Sequence, residues 1–173
     1  MTPAQAPARR ITGDGLVLRL AGRADLDVLA AIIAEPEVAP WWPMGDPESE
    51  FLNSDYPAYV IEVDGQTAGV VLYSEENDPF YRSAGLDVAV ATAHHGRALG
   101  RTALKVMMRH LIRDRGHHRL TIDPAAANER AIAAYEDVGF RRVGVMRGYE
   151  RGADGTWHDN MLMDALASEL DLD

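Results

Sequence analysis

Two spacings of apolar residues alternate along the chain, one of two residues and one of three to four, and they divide it into strands and helices. After a stretch over residues 1 to 12 expected to be a flexible tail, Leu16 to Leu20 reads as a strand, and Asp25 to Ala34 as a helix that Pro36 stops. Asp46-Pro47-Glu48 marks a second helix start, with proline at the first helical position. Between these helices lies Pro40-Trp41-Trp42-Pro43, too stiff to be helical. Tyr59 to Val63 and Thr67 to Tyr73 form a hairpin around Asp64-Gly65, a turn pair that tolerates positive φ. Residues 74 to 83 are a polar loop, and Gly85 to Val90 is a nearly unbroken apolar strand of the kind buried at a sheet centre. Leu99 to Arg115 follows as a long amphipathic helix, with Leu99, Ala103, Met107, Met108, Leu111 and Ile112 on one side and bases on the other, ended by Gly116. His118 to Asp123 is a strand and Asn128 to Val138 a helix. Arg141 to Tyr149 and Thr156 to Asp164 form a last hairpin turning at Ala153-Asp154-Gly155.

Composition narrows this pattern to one domain over residues 13 to 173. A chain of 173 residues, 47% hydrophobic, buries roughly 70% of the surface its unfolded form exposes. Cysteine is absent, which excludes disulfides, thiolate metal sites and a cysteine nucleophile. Met1 to Arg10 has no apolar stretch of signal-peptide type, and the longest apolar run, Val28 to Ala34, is far short of the roughly 20 residues that span a bilayer. A cytoplasmic location is expected, with no membrane or nucleic-acid partner. Monomer and homodimer remain open.

The net charge of −10 is unevenly spread. Residues 24 to 81 hold thirteen Asp or Glu and no Lys or Arg, whereas residues 94 to 119 hold seven Lys or Arg and the single acid Asp114. Either both runs are solvated faces, or one attracts cations and the other anions.

Three segments carry candidate chemistry. His94-His95-Gly96-Arg97-Ala98-Leu99-Gly100-Arg101 joins a buried strand to a helix start, where backbone N–H groups and the helix dipole hold phosphate. Small residues at 96, 98 and 100 permit close approach. Asn128 reads as an N-cap, Ala131, Ile132, Tyr135 and Val138 form one apolar face, and Gly139 ends the helix, so Tyr135 points inward. The pairs His94-His95 and His117-His118 are sequence neighbours that share no face of a helix or strand, so no metal site is expected.

The order Asp123-Pro124, Asn128, Arg130-Ala131, Tyr135 and Gly139-Phe140 resembles the C-terminal acetyl-CoA motif of the GNAT superfamily of N-acetyltransferases, and the βααβββαβαββ element order matches that family from about residue 13 to residue 165. The resemblance implies an α/β fold with a central mixed, mostly antiparallel sheet flanked by helices, and acetyl-CoA as co-substrate. In it His95, Ala98 and Gly100 stand at the defining positions of the pyrophosphate loop, where two of the three depart from the family pattern, with Gly96, Arg97, Leu99 and Arg101 beside them. Backbone N–H groups from Asp87 to Val90, with Val88 and Val90 as coenzyme contacts, would meet the thioester carbonyl, Asn128 would contact the coenzyme, and Tyr135 would protonate the departing thiolate.

Trp41-Trp42, Gly85-Leu86-Asp87, Asp123-Pro124 with Asn128, and the closing Gly-Thr-Trp-His-Asp-Asn-Met-Leu-Met stretch are similar to the aminoglycoside 6′-N-acetyltransferases within that superfamily. This implies a cationic small-molecule amine as partner. Asp87 and Asp123 would contact its amines and a tryptophan its ring, with Glu75 and Asp78 in a loop expected to reach the same groove. One carboxylate, with Asp123 the candidate, or a water it orients, would serve as base. A GNAT acting on protein N-termini or polyamines is the nearest alternative. A non-catalytic acyl-CoA sensor is the alternative of another class, and the presence of both Asn128 and Tyr135 speaks against it.

Overall fold

The computed structural model describes residues 6–53 and 55–171. The first five residues of the expected tail and the last two of the expected domain lie outside the described residues. Eight strands form one mixed sheet: β1 (Arg10–Gly13), β2 (Leu16–Leu20), β3 (Ala58–Val63), β4 (Gln66–Glu76), β5 (Ser83–Val90), β6 (Arg119–Ile122), β7 (Arg141–Arg151) and β8 (Trp157–Leu166), in the order β1-β2-β3-β4-β5-β6-β8-β7. Every neighbouring pair is antiparallel except β5 and β6. Helices α1 (Leu26–Ile33) and α2 (Pro47–Phe51) cover one face, and α3 (Leu99–Arg109) and α4 (Glu129–Asp137) the other. Among the described residues no helix is long and apolar enough to cross a membrane.

The two-sided cover explains the apolar run in β4. Val70 and Leu72 face Leu29, Ile33 and Phe51, whereas Val71 and Tyr73 face Leu104, Met107 and Leu111. A strand buried on both faces loses the polar alternation of a half-exposed one. The expected Asp64-Gly65 hairpin is present, with both residues at positive φ (51° and 74°). Asp14-Gly15 repeats it at 52° and 80° and joins β1 to β2. Part of the expected tail is therefore a strand, missed because Arg10–Gly13 offers one large apolar side chain, Ile11, to betray it.

The helix expected from Leu99 to Arg115 is α-helical only to Arg109, and His110–Asp114 form a wider π turn. Arg115, expected on the solvated basic side, is instead 7% exposed. Its Nε and Nη2 each donate to the Glu75 carboxylate at 2.6 Å, and the His117 ring meets the same carboxylate at 2.7 Å. The acidic window is likewise spent in part on structure: Asp25 binds Arg19, Glu48 binds Arg23, and Glu62 binds Arg10 and Arg19. A single cation-attracting face does not follow from the run.

Burial pushes the Glu75 carboxyl up, but hydrogen bonds from Arg115 and His117 outweigh it and hold it below the ordinary 4.5. Burial pushes His117 below its ordinary 6.5 against the pull of Glu75. Both depressed values give stability that is complete above the unfolded pKa and lost as pH falls toward the folded one. Asp87, with its carboxyl pushed up to about 7, changes stability in the opposite direction over the same range. The effect is therefore read as a difference: in thermal melts the advantage of the parent over His117→Asn should shrink as pH falls below 6.5, and its advantage over Glu75→Gln as pH falls below 4.5. Glu75→Ala, which removes the carboxylate that buried Arg115 and His117 both meet, should cost about 3–5 kcal/mol in urea denaturation.

Candidate active site

β5 and β6 are paired only at Ala84↔Leu120 and Gly85↔Thr121. Beyond these two pairs they part, and β5 continues to Val90 along β4 alone. Ala91 donates its N–H to the Ala68 carbonyl at 2.9 Å, and residues of an antiparallel strand alternate between facing the neighbour and facing away. With Gly69 opposite Val90 and Leu72 opposite Asp87, the backbone groups of Ala89 and Asp87 face β4. Those of Val88 and Val90 face the gap. The Val90 carbonyl is taken there by the His95 ring, its Nε2 at 2.8 Å.

The chain then turns into α3 through Gly96 and Ala98, both at positive φ (75° and 58°). Ala98 is the N-cap and offers no capping side chain, so the N–H groups of Leu99, Gly100 and Arg101 have no acceptor in the helix. A Cβ on Gly100 would stand 3.4 Å from Val90 Cγ2, so the first turn of α3 lies directly against β5. Of the expected phosphate donors, His95 is tied inward to Val90 and Arg101 pairs with Asp137. Arg97 is exposed.

Asn128 caps α4, its Oδ1 accepting from the Ala131 N–H at 3.2 Å. Tyr135, two turns on, is half-buried and packs edge-on to Phe140 with ring centres 6.4 Å apart. Burial, then the charges of Asp87 and Asp123, push its phenol well above the ordinary tyrosine value. The phenol therefore keeps its proton at every physiological pH.

A groove of about 750 Å³ joins these parts, lined by the loop from His94 to Arg101, by Asn128 and Tyr135, and by Trp41, Trp42, Asp87 and Asp123. The tryptophans stand at a short 3-10 turn, Ala39–Trp41, after α1. Asp87 lines the groove with its side chain exposed to it, and other acids stand nearby. Desolvation, then Asp123, Glu150 and Glu50, push its carboxyl up to about 7. Burial also raises Asp123, with Glu150 adding to it and a hydrogen bond from the Tyr149 hydroxyl opposing. Glu37 and Glu150 line the same groove and were not foreseen. Glu150 escapes pattern reading because β7 is irregular between Met146 and Glu150, which breaks the two-residue alternation.

Two expected substrate contacts are elsewhere. Glu75 is bound to Arg115 and His117 away from the groove. Asp78 is exposed in the β4–β5 turn at the far end of β5, where it accepts the Phe80 N–H at 2.9 Å. The polar loop cannot reach the groove because β4 and β5 stay zipped through Glu76↔Ser83 and carry it away. Among the described residues no group of three or more His, Asp or Glu stands close enough to hold a metal ion.

The model of the acetyltransferase (GNAT) family matches residues 28–140, which include the loop, the Asn128 cap and Tyr135. The chain belongs to the GNAT acetyltransferase family. It is an acyl-CoA-dependent acetyltransferase, as the sequence led one to expect, and its mixed eight-stranded sheet bears out the expected fold. Aminoglycoside N(6′)-acetyltransferase type 1 of Klebsiella pneumoniae is 27% identical over 159 residues, covering 78% of each chain. Streptothricin acetyltransferase of Streptomyces lavendulae is 31% identical over 146 residues, 78% of this chain and 68% of that one. Among solved structures, Mycobacterium smegmatis RimJ in complex with CoA-disulfide matches in fold, with a TM-score of 0.78 at 24% identity over 90% of this GNAT chain and 83% of its own.

Ala98 holds a left-handed backbone that costs an L-residue about 1–2 kcal/mol, against about 0.5–1 kcal/mol of extra chain entropy for glycine. Ala98→Gly should therefore stabilise the protein by up to about 1 kcal/mol in urea denaturation, and the β-branched Ala98→Val should destabilise it.

Proposed function

We propose that this acetyltransferase moves acetyl from acetyl-CoA to a primary amine of a cationic small molecule, and that the acceptor is the 6′-amine of an aminoglycoside. One observation carries the reading: Asp87, its carboxyl pushed up to about 7, lines one groove together with the aromatic rings of Trp41 and Trp42 and the protonated phenol of Tyr135. The names of the aminoglycoside and streptothricin relatives support the choice of acceptor.

The residues present fit the coenzyme. The N–H groups at the start of α3 suit its pyrophosphate, Asn128 borders the same channel, and the unpaired N–H groups of Val88 and Val90 suit the pantetheine and the thioester oxygen. Acetyl-CoA, when bound, supplies an activated acetyl group. Asp87 takes a proton from the acceptor ammonium, since a base near the operating pH is most effective. Asp123 and Glu150 hold the remaining positive charge of the acceptor. The freed nitrogen bonds to the acetyl carbon as the carbon–sulfur bond breaks. A backbone N–H in the gap bears the charge that gathers on the carbonyl oxygen. Tyr135 gives its proton to the departing sulfur, the acylated nitrogen gives up its second proton through solvent to the Tyr135 oxygen, and the proton held by Asp87 leaves to solvent, so that amide, thiol and one released proton are the products. This reading moves the base from Asp123, the sequence candidate, to Asp87.

Only ionised Asp87 accepts a proton, so kcat/KM should rise about tenfold per pH unit below about 7 and level off above it. Asp87→Asn should remove this limb and lower the rate about 10²- to 10⁴-fold. Tyr135→Phe should lower kcat while keeping the rise in Tm produced by acetyl-CoA. Released thiol, measured with two aminoglycosides differing only in a 6′-amine or a 6′-hydroxyl, tests the acceptor. Turnover of the first alone supports the proposal. Equal turnover moves the acetylated nitrogen elsewhere, and turnover of spermidine or peptide N-termini instead of either replaces the acceptor.

A further inference from the structure

The tryptophan turn and the phosphate loop are joined behind the groove by one residue that does not line it. Glu35 directly follows Ala34, the C-cap of α1, and is half-buried. Its carbonyl oxygen accepts the N–H groups of Val38 and Ala39, both at 2.9 Å, and the Val38 carbonyl in turn accepts the Trp41 N–H at 2.9 Å. The backbone of Glu35 thus starts the short turn that delivers the aromatic wall. Its side chain reaches the other way. Oε2 accepts the Thr92 N–H at 2.6 Å, from 57 residues along the chain.

Thr92 opens a second short turn, Thr92–His94, whose N-cap is Ala91 and offers no capping side chain. The first N–H groups of a helical turn have no acceptor within it, so Glu35 supplies from the end of α1 the cap that the local sequence omits. The Thr92 hydroxyl and then the Thr92 N–H, both donating to the carboxylate, hold Glu35 below the ordinary 4.5. The carboxylate is therefore ionised at neutral pH, and hydrogen bonds to an ionised acceptor are roughly twice as strong as neutral ones. From Thr92 the bonds run on into the phosphate loop. The Thr92 carbonyl accepts the His95 N–H at 3.0 Å, and the His94 carbonyl accepts the Arg97 N–H at 3.4 Å. One series of hydrogen bonds thus leads from Trp41 through Glu35 to the loop, and Trp41, His94 and His95 all line the groove.

We propose that Glu35 is a positioning residue that couples the two substrates. Coenzyme bound at the start of α3 steadies the loop, the Glu35–Thr92 bonds pass this to the turn that carries Trp41 and Trp42, and the amine then meets a wall already ordered. The proposal rests on the acetyl-transfer reading given above, in which the tryptophans face the amine, and adds a coupling that this reading does not require. A ligand that orders a segment leaves less entropy for a second ligand to remove, which makes their binding cooperative. The coupling has the same size in both directions.

The test titrates kanamycin A, an aminoglycoside with a 6′-amine, by calorimetry without and with saturating coenzyme A, which carries no acetyl group and so permits no turnover. In the parent protein, coenzyme A should lower the Kd for kanamycin about fivefold or more. Glu35→Ala should bring the two Kd values to within about twofold of each other. Glu35→Gln keeps an oxygen that can accept the Thr92 N–H and should retain part of the coupling. Thr92→Val removes only the hydroxyl donor, and adding it to Glu35→Ala should bring no further loss, since the two residues act as one unit. Parent-like melting establishes that the variants are folded. The coupling is a ratio of two affinities of one protein, so a uniform loss of stability or affinity does not move it. Full coupling in Glu35→Ala, or none in the parent, overturns the proposal and leaves acetyl transfer standing. Failure of the parent to bind kanamycin in either condition overturns the choice of acceptor beneath it and the coupling with it.

Discussion

The parting of β5 from β6 is the constraint on which the site depends, and each strand is held to its outer neighbour in a way that forces it. β5 is paired to β4 along its whole length, up to Val90 opposite Gly69. A Cβ at Gly69 would lie 2.3 Å from the Ala89 carbonyl oxygen, so this close approach requires glycine. β6 ends at Ile122, and Pro124, with no N–H, has no donor for a continued parallel ladder. The chain instead follows β8: Met161 donates to the Pro124 carbonyl, and Ala126 to that of Asp159, both at 2.8 Å. The backbone N–H groups of Val88 and Val90, missing from the β5–β6 ladder, then face a ligand space, and the hole in the sheet is where the two faces communicate.

That hole also sets the electrostatics. Asp87 and Asp123 flank it on β5 and just past β6, with Glu150 across it on β7, and three like charges around one concave space oppose one another's ionisation. The protein relieves part of this with the Tyr149 hydroxyl at Asp123 and leaves Asp87 with the larger upward push. A cation in the groove relieves the rest. The same carboxylates raise the pKa of any ammonium they hold, so tight capture and easy deprotonation conflict. A carboxyl near 7 is a compromise between the two demands, strong enough to attract the ammonium and basic enough to accept its proton.

Most of the fold was legible because its signals are local. The Asp64-Gly65 turn, the Asn128 cap and the apolar face of α4 all act within a few residues, and all appear where the sequence placed them. The groove residues Trp41, Trp42, Asp87, Asp123 and Tyr135 were also found, through a resemblance that spans the motif segments rather than through spacing alone. What was missed depends on partners distant in sequence. Glu75 reads as a loop acid until Arg115 and His117 arrive from the end of α3 to claim it. Glu150 and Asn160 become a pair only across an irregular stretch of strand that no periodicity reveals. Charge counting failed for the same reason, since a run of acids says nothing about which of them are already neutralised from elsewhere in the chain.

A single-residue parity on β5 then decides how the chemistry is divided. Ala89 packs with α1 and α2 on one face, and Val88 and Val90 pack against the α3 side on the other. Asp87, two residues before Ala89, therefore presents its carboxyl on the face that carries the tryptophan turn. Val88, next to it, turns its backbone N–H into the gap. The base and the carbonyl donor of the proposed mechanism are thus adjacent residues of one strand, fixed at right angles by the pleat without any loop having to order itself. Slipping β5 by one residue would turn Asp87 toward Met107 and Leu111 and give its backbone N–H to the gap in place of Val88. The unbroken β4–β5 ladder, with Gly69 at its tightest point, prevents that slip. A long, two-sided apolar strand is in this sense part of the catalytic apparatus, although none of its side chains touches a substrate.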